Sequence, residues 1–166
     1  MLAEKPPQRS TYEHALRIIG RFLDAEPAYD VAIVEGPDGF TVRSHPVRHR
    51  SNDRLTEFDW ARLQYIAVFN LAGREAGRKS QRHRGIQPSL PTGHEDFLRA
   101  LGHELDLLEA TGVSVDELPE GFRVSYVVGS LQAQEGFEKR DRLYGAEEID
   151  RILHEAQNRR HSNGGI

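Results

Sequence analysis

The sequence predicts an α+β fold made by tandem duplication of a helix–β-hairpin–helix unit, with the two hairpins forming a four-stranded antiparallel sheet and the helices packed mainly on one face. Sliding the 166-residue chain against itself by 82 positions aligns residues 13–42 with residues 95–124, and 13 of these 30 pairs are identical. Each copy also has a helical pattern followed by two short β patterns. Because an isolated hairpin is only marginally stable in water, the two hairpins are expected to pair with each other.

The first element of each copy has the spacing of an amphipathic helix. Apolar residues and one glycine recur at i, i+3, i+4 and i+7: Leu16, Ile19, Gly20 and Leu23, and again Leu98, Leu101, Gly102 and Leu105. A glycine inside a helix costs about 1 kcal/mol relative to alanine, so its recurrence at one internal position predicts that another backbone passes close by. Glu13 stands four residues before Arg17, and Glu95 four before Arg99, which predicts an exposed ion pair within each helix.

The second element of each copy is a predicted β-hairpin. Runs rich in valine at 31–34 and 113–115 lead into the turn sequences Gly-Pro-Asp-Gly at 36–39 and Leu-Pro-Glu-Gly at 118–121. Apolar and polar residues alternate after each turn, so one face of the sheet should be buried and the other exposed. Glu35 and Glu117 close the first strand of each hairpin, and we interpret them as edge charges or turn caps, with general acid–base chemistry as the alternative.

A second helix is predicted to close each unit. In the first copy it runs from about Glu57 to Ala72 and is apolar on most faces, so it should be buried. Its counterpart over about 146–159 has one apolar stripe and should be peripheral. We expect a single domain, because each half alone would be short of core. The first repeat spans about 11–72, a basic linker 73–92, and the second repeat about 93–160.

The composition excludes several classes of protein. There is no cysteine, which excludes disulfides, thiol nucleophiles and cysteine-ligated metal sites. No run approaches the 18 or so apolar residues of a membrane span, and the first residues lack the apolar region of a signal peptide. We therefore expect a cytoplasmic protein that does not cross a membrane.

Charge is segregated along the chain, although the net charge is only −4. Residues 43–84 hold ten basic and four acidic side chains, whereas residues 94–155 hold six basic and fifteen acidic ones. Segregation of this kind is typical of polyanion binding or of mutual neutralisation between the two regions. The candidate polyanion-binding residues lie in two arginine-rich loops: Arg43, Arg48, Arg50, Arg54, Arg78, Lys79, Arg82 and Arg84.

The sequence contains none of the motifs that mark a known chemistry. It has no glycine-rich nucleotide-binding motif and no nucleophile elbow. His45 and His49 have the spacing of metal ligands on a helix, but Pro46 between them argues against a helix there. We therefore expect no metal and no cofactor, and we assign no catalytic residue.

Three functional hypotheses follow. The first is a non-enzymatic binding or regulatory module that engages a polyanion, such as nucleic acid, or an acidic protein surface through the arginine-rich loops. The second is a structural or assembly component that docks on a partner, or on itself as an oligomer, through an apolar helix face at Trp60, Tyr65 and Phe69. The third is a small enzyme with a pocket at the seam between the repeats.

Overall fold

The computed structural model describes residues 11–47, 53–63, 93–129 and 136–163. Its elements follow one another in the order α1 (Tyr12–Ala25), β1 (Ala28–Glu35), β2 (Gly39–Pro46), β3 (Arg54–Asp59), α2 (His94–Leu107), β4 (Thr111–Leu118), β5 (Gly121–Val128), β6 (Glu138–Tyr144) and α3 (Ala146–Asn163). The α+β class predicted from the sequence is confirmed. Both halves show the same succession, a helix followed by three strands.

All six strands form one antiparallel sheet in the order β3, β2, β1, β4, β5, β6. The prediction of a four-stranded sheet from a duplicated helix–β-hairpin–helix unit is wrong, because a third strand follows each hairpin. These third strands are the two edges of the sheet, and each buries a single side chain, Phe58 in β3 and Tyr144 in β6. A strand that buries so little shows no apolar alternation, so its polar sequence does not indicate a strand.

The two halves meet in the middle of the sheet, where β1 pairs with β4. Ile33 lies opposite Val115, and these residues are the same position of the two aligned copies, so an approximate two-fold axis passes between them. Both strands also bulge at the same place, where Asp30 and Gly112 have left-handed φ values of 51° and 58°. Bulges of this kind bend the strand and increase its twist.

One face of the sheet is covered by α1 and α2, which pack directly against each other. The apolar faces of both helices and the inward side chains of the strands form one buried cluster, which includes Leu16, Ile19, Ile33, Val42, Leu98, Leu101, Val115 and Val124. Ile149 and Ile152 of α3 extend the same cluster. The core is therefore shared by the two halves.

The second helix of the first half begins later than predicted. Residues 57–59 belong to β3, because Phe58 pairs with Phe40 of β2, and the helix begins at Trp60. Its described part ends at Leu63, and the rest of the prediction lies outside the described residues. The counterpart α3 is confirmed. Among the helices that the structure describes, none has the length and apolar character needed to cross a membrane, and the cytoplasmic location stays a prediction.

Candidate functional site

The backbones of α1 and α2 touch at the two recurrent glycines. A Cβ atom on Gly20 would lie 2.6 Å from Cα of Glu95, and one on Gly102 would lie 2.6 Å from Cα of Glu13. Any larger residue would therefore overlap the opposite backbone. The close approach predicted from the sequence is confirmed, and the approaching backbone is the N-terminal turn of the other helix.

Each of these helices is capped by an aspartate of the other. Asp106 of α2 accepts the backbone N–H groups of Tyr12 and Glu13 at 2.9 and 3.0 Å. Asp24 of α1 accepts the first two N–H groups of α2 at 2.8 and 2.9 Å. A carboxylate in this position satisfies N–H donors that lack a partner within the helix, and the helix dipole favours its charge. Because donor and acceptor come from different halves, the two caps hold the halves together.

Charged side chains extend the contact between the two helices. Glu13 Oε1 lies 3.5 Å from Arg99 Nε, and Glu95 Oε1 lies 3.6 Å from Arg17 Nε. The spacing of the sequence predicted pairs within one helix, but each glutamate reaches an arginine of the opposite helix. The reason is the glycine contact, which brings the first turn of each helix alongside the middle of the other.

A buried ion cluster lies beneath the N-terminus of α2. The His94 side chain is 1% exposed, with its Nε2 3.0 Å from Glu117 Oε2 and its Nδ1 3.4 Å from Asp24 Oδ1. Burial by itself lowers the pKa of His94, but the contacts with the two carboxylates outweigh burial and raise the pKa from 6.5 to about 9. The two carboxylates therefore favour the protonated form of the ring, which lies between α1 and β4.

The first half has an uncharged hydroxyl where the second half has this histidine. Tyr12 aligns with His94, and its hydroxyl donates to Glu35 Oε2 at 2.6 Å. The same oxygen accepts the backbone N–H of Val113 at 3.1 Å, which links β1 to the other half. Glu35 and Glu117 thus bind helix residues from the two middle strands of the sheet, and the interpretation of this pair as edge charges is wrong.

A cavity of about 200 Å³, which we name the helix groove, opens between α1, α2 and α3. It is lined by Glu13, Arg99, Ala100, His103, Ala156, Arg159 and Arg160. Three arginines line the groove against one carboxylate, so the groove is cationic. Sequence reasoning missed this site because the second half is acidic overall, and only the packing of the helices brings these bases together.

The face of the sheet opposite α1 and α2, which we name the bare face, carries exposed side chains from every strand. Strand pairing sets one residue of each strand in a row across it: Leu55, Arg43, Ala32, Asp116, Arg123 and Leu143. Leu55 and Leu143 end this row at the two edges and are 65% and 49% exposed, and Val34 in the adjacent row is 51% exposed. The bare face therefore combines two arginines and exposed aliphatic groups with one carboxylate of this row, Asp116.

Two of the predicted polyanion-binding residues lie in described strands. Arg43 is exposed on the bare face. Arg54, at the start of β3, pairs with Glu26 at 2.5 Å, and its guanidinium carbon lies 4.6 Å from the centre of the Phe22 ring. The others lie outside the described residues, so their role stays a prediction: Arg48, Arg50, Arg78, Lys79, Arg82 and Arg84.

Of the predicted docking residues, the structure describes Trp60. Its ring packs against Tyr12 and Phe40, with centroid distances of 6.2 and 5.1 Å, at the margin of the core. Tyr65 and Phe69 lie outside the described residues. Docking through this set of residues therefore stays a prediction.

No protein-family model, curated protein or solved structure matches this chain. Function therefore depends on the surfaces and side-chain clusters of this chain. Within the described ranges, no three histidine, aspartate or glutamate side chains converge as metal ligands. Asp24 and Glu117 do not form such a set with His94, because they contact opposite nitrogens of its ring.

Proposed function

We propose that this protein is a non-enzymatic binding module whose bare face engages an acidic protein surface. The observation that carries the proposal is the row across the sheet in which Arg43 and Arg123 lie between two exposed leucines. Neighbouring strands lie about 4.8 Å apart, so the row extends over about 24 Å. A surface of this width suits a helix or a strand pair of a partner protein.

Arg43 is the cation of this row that is best placed for a partner. Its cross-strand neighbours are Ala32 and Leu55, so no acidic side chain lies directly beside it. It makes no ion pair with the residues that the structure describes. Arg123 has Asp116 opposite on β4. Because the planar guanidinium group binds a carboxylate through two parallel hydrogen bonds, both arginines favour an acidic partner.

The exposed aliphatic side chains favour a protein partner over nucleic acid. Leu55, Val34 and Leu143 offer the kind of apolar contact that protein interfaces bury at their centres. Single-stranded nucleic acid is bound instead by stacking its bases on aromatic rings. Among the described residues, the exposed aromatic rings stand apart, because Phe137 directly precedes β6, three strands from Tyr29 in β1. Tyr29 already lies against His45, with 4.7 Å between ring centroids.

The ion cluster around His94 supports a structural role rather than chemistry on a substrate. An acid or base catalyst has to come within hydrogen-bond distance of the substrate proton. The His94 side chain is closed off from solvent, and both of its ring nitrogens face carboxylates. For this reason we propose a binding module and not an enzyme.

Capture of partners from the native source tests this proposal. The immobilised full-length chain is compared with Arg43→Gln/Arg123→Gln and with a control of equal charge change, Arg62→Gln/Arg140→Gln. Arg62 lies after β3, and Arg140 pairs with the buried Tyr126 on the helix side of the sheet. We expect wild type and control to retain acidic proteins that elute as salt rises, because salt screens exposed charges. The Arg43/Arg123 variant should lose these proteins.

Equal retention of the same proteins by both variants would contradict the proposal. Capture that disappears after nuclease treatment would indicate nucleic acid as the partner and would also overturn it. The folded state of each variant is checked by thermal melting, so that a loss of binding cannot be mistaken for a loss of structure.

A further inference from the structure

The helix groove lies on the opposite side of the sheet from the bare face, and its basic side chains come from separate elements. Arg99 and His103 belong to α2, and Arg159 and Arg160 belong to α3. Glu13 of α1 is the one carboxylate among the lining residues. Three arginines face Glu13 and, at Arg160, also Asp96. Because positive groups repel one another at short range, an anion would stabilise the remaining excess of positive charge.

Arg159 is the arginine of the groove that has no carboxylate partner among the described residues. The carboxylate of Glu13 pairs with Arg99 at 3.5 Å and with His103 at 3.2 Å. Arg160 Nη2 lies 3.9 Å from Asp96 Oδ1 of α2. Arg159 is partly buried, yet it makes no hydrogen bond or ion pair with the described part of the chain. Its guanidinium group is therefore available to a ligand in the groove.

The dipole of α3 explains the position of only some of the basic residues that line the helix groove. Basic residues near the C-terminal end of a helix are favoured by its dipole, which accounts for Arg160 in the last turn of α3. Arg99 lies in the N-terminal half of α2, where the dipole gives a cation no stabilisation. Its convergence with the arginines of α3 comes from helix packing and suits an anionic ligand.

The size of the groove restricts the ligand to a compact group. Sites for drug-sized ligands measure roughly 300–1,000 Å³, and this groove measures about 200 Å³. Ala100 and Ala156 are the small residues of its lining and leave room beside the guanidinium groups. Arginine binds the oxygens of a phosphate through two parallel hydrogen bonds. We propose that the helix groove binds a phosphate group, either free or carried by a small monoester.

Glu13 limits the affinity of this site. Its carboxylate occupies the donors of Arg99 and His103 that a phosphate would use, and two anions at this distance repel each other. A phosphate therefore binds in competition with Glu13. Replacement of this glutamate by glutamine removes the competing charge and keeps the shape of the side chain.

Calorimetric titration of the full chain tests the site, with inorganic phosphate and O-phosphoserine as the two probes and chloride holding the ionic strength constant. We expect wild type to bind with a dissociation constant of about 1 mM or tighter. Arg159→Ala should weaken binding about tenfold or more, because it removes hydrogen bonds to a charged ligand. Glu13→Gln should tighten binding, and the control Arg62→Gln should leave it unchanged.

The two probes identify the source of the phosphate. Binding of both assigns the site to the phosphate group itself, and binding of phosphoserine alone assigns it to a monoester. The absence of saturable binding for both probes in wild type overturns the proposal, as does equal affinity of Arg159→Ala and Arg62→Gln. If Arg159→Ala does not fold, Glu13→Gln is the deciding variant. An affinity of Glu13→Gln for the probes equal to that of wild type then overturns the proposal.

Discussion

Asp24 caps a helix to which it does not belong: its Oδ1 accepts the backbone N–H of His94, 70 positions further along the chain, at 2.8 Å. Asp106 makes the equivalent contact with the first turn of α1. Together with the glycine contacts, these caps interlock the two helices at both ends. Neither half can move away without leaving helix N–H donors of the other half unsatisfied.

Removal of one cap should destabilise the whole protein. We expect Asp106→Ala to lower the free energy of unfolding by about 1 kcal/mol, and by up to about 2 kcal/mol, because the first N–H groups of α1 lose their acceptor. Urea denaturation measures the change. Asp150→Ala, at an exposed position of α3, is the matched control. Equal stability of the two variants would show that the cap contributes nothing.

A methyl group at the contact between α1 and α2 should destabilise the protein, although helix propensity alone favours alanine over glycine. Alanine is better than glycine inside a helix by about 1 kcal/mol, but in Gly20→Ala the new Cβ would overlap the backbone of Glu95. We expect a net loss of about 2 kcal/mol, the usual result of overpacking. Gly36→Ala is the control, because the nearest atom to its new Cβ is 3.9 Å away. A Gly20→Ala variant more stable than wild type would contradict the contact.

The His94 cluster predicts a dependence of stability on alkaline pH. The pKa of His94 is about 9 in the folded protein and 6.5 in the unfolded chain, so the cluster stabilises the fold fully below about pH 6.5. This stabilisation is lost as the pH rises through about 9, and the difference between the two pKa values corresponds to about 3 kcal/mol. Urea denaturation at a series of pH values measures it.

A substitution separates this effect from the titration of other groups. His94→Gln should abolish the fall in stability between these two pH values, and His154→Gln, at an exposed position of α3, should preserve it. If wild type and His94→Gln show the same pH dependence, His94 is not the group that responds.

The corresponding contact of the first half, between Tyr12 and Glu35, should contribute to stability without this dependence on pH. Tyr12→Phe removes the hydroxyl that donates to Glu35 at 2.6 Å, and we expect the free energy of unfolding to fall by about 1 kcal/mol. This loss of stability should be the same below and above the pH range in which His94 loses its proton. Tyr29→Phe, at an exposed ring, serves as the control. A loss no larger than that of the control would exclude a stabilising role for this hydrogen bond.

Local patterns in the sequence identify α1, α2, α3 and the two hairpins correctly. The apolar spacing of α1 and α2, and the single apolar stripe of α3, match the faces that are buried. Gly20 and Gly102 indicate a backbone contact because glycine is costly inside a helix without one. In each case the residues that carry the pattern are close together in the chain.

The edge strands and the contacts between halves have no such local pattern. β3 and β6 pair through their backbones and bury one side chain each, so composition makes them resemble loops. Asp24 gives no indication of its partner, which lies 70 positions away. His94 stands next to Glu95 in a polar stretch, and only the packing of α2 on the sheet places it against Glu117.

The helix groove could not be read from the sequence for a related reason. Its bases form two pairs, Arg99 with His103 and Arg159 with Arg160, that are more than 50 positions apart, and residues 94–160 have a negative net charge. Only the packing of α3 beside α2 brings Arg159 towards Arg99. The net charge of a segment of the chain therefore does not predict the net charge of the surface to which that segment contributes.

The contact between Gly20 and Glu95 is the most direct test of the interlocked helices. Cα of Glu95 lies 2.6 Å from the position where Gly20 would carry a Cβ, so a hydrogen of Gly20 points at the backbone of Glu95. NMR of the folded protein should show a strong nuclear Overhauser effect between the Hα protons of these residues, and a second one between Gly102 and Glu13. Absence of both effects in a folded sample would contradict the interlocked arrangement.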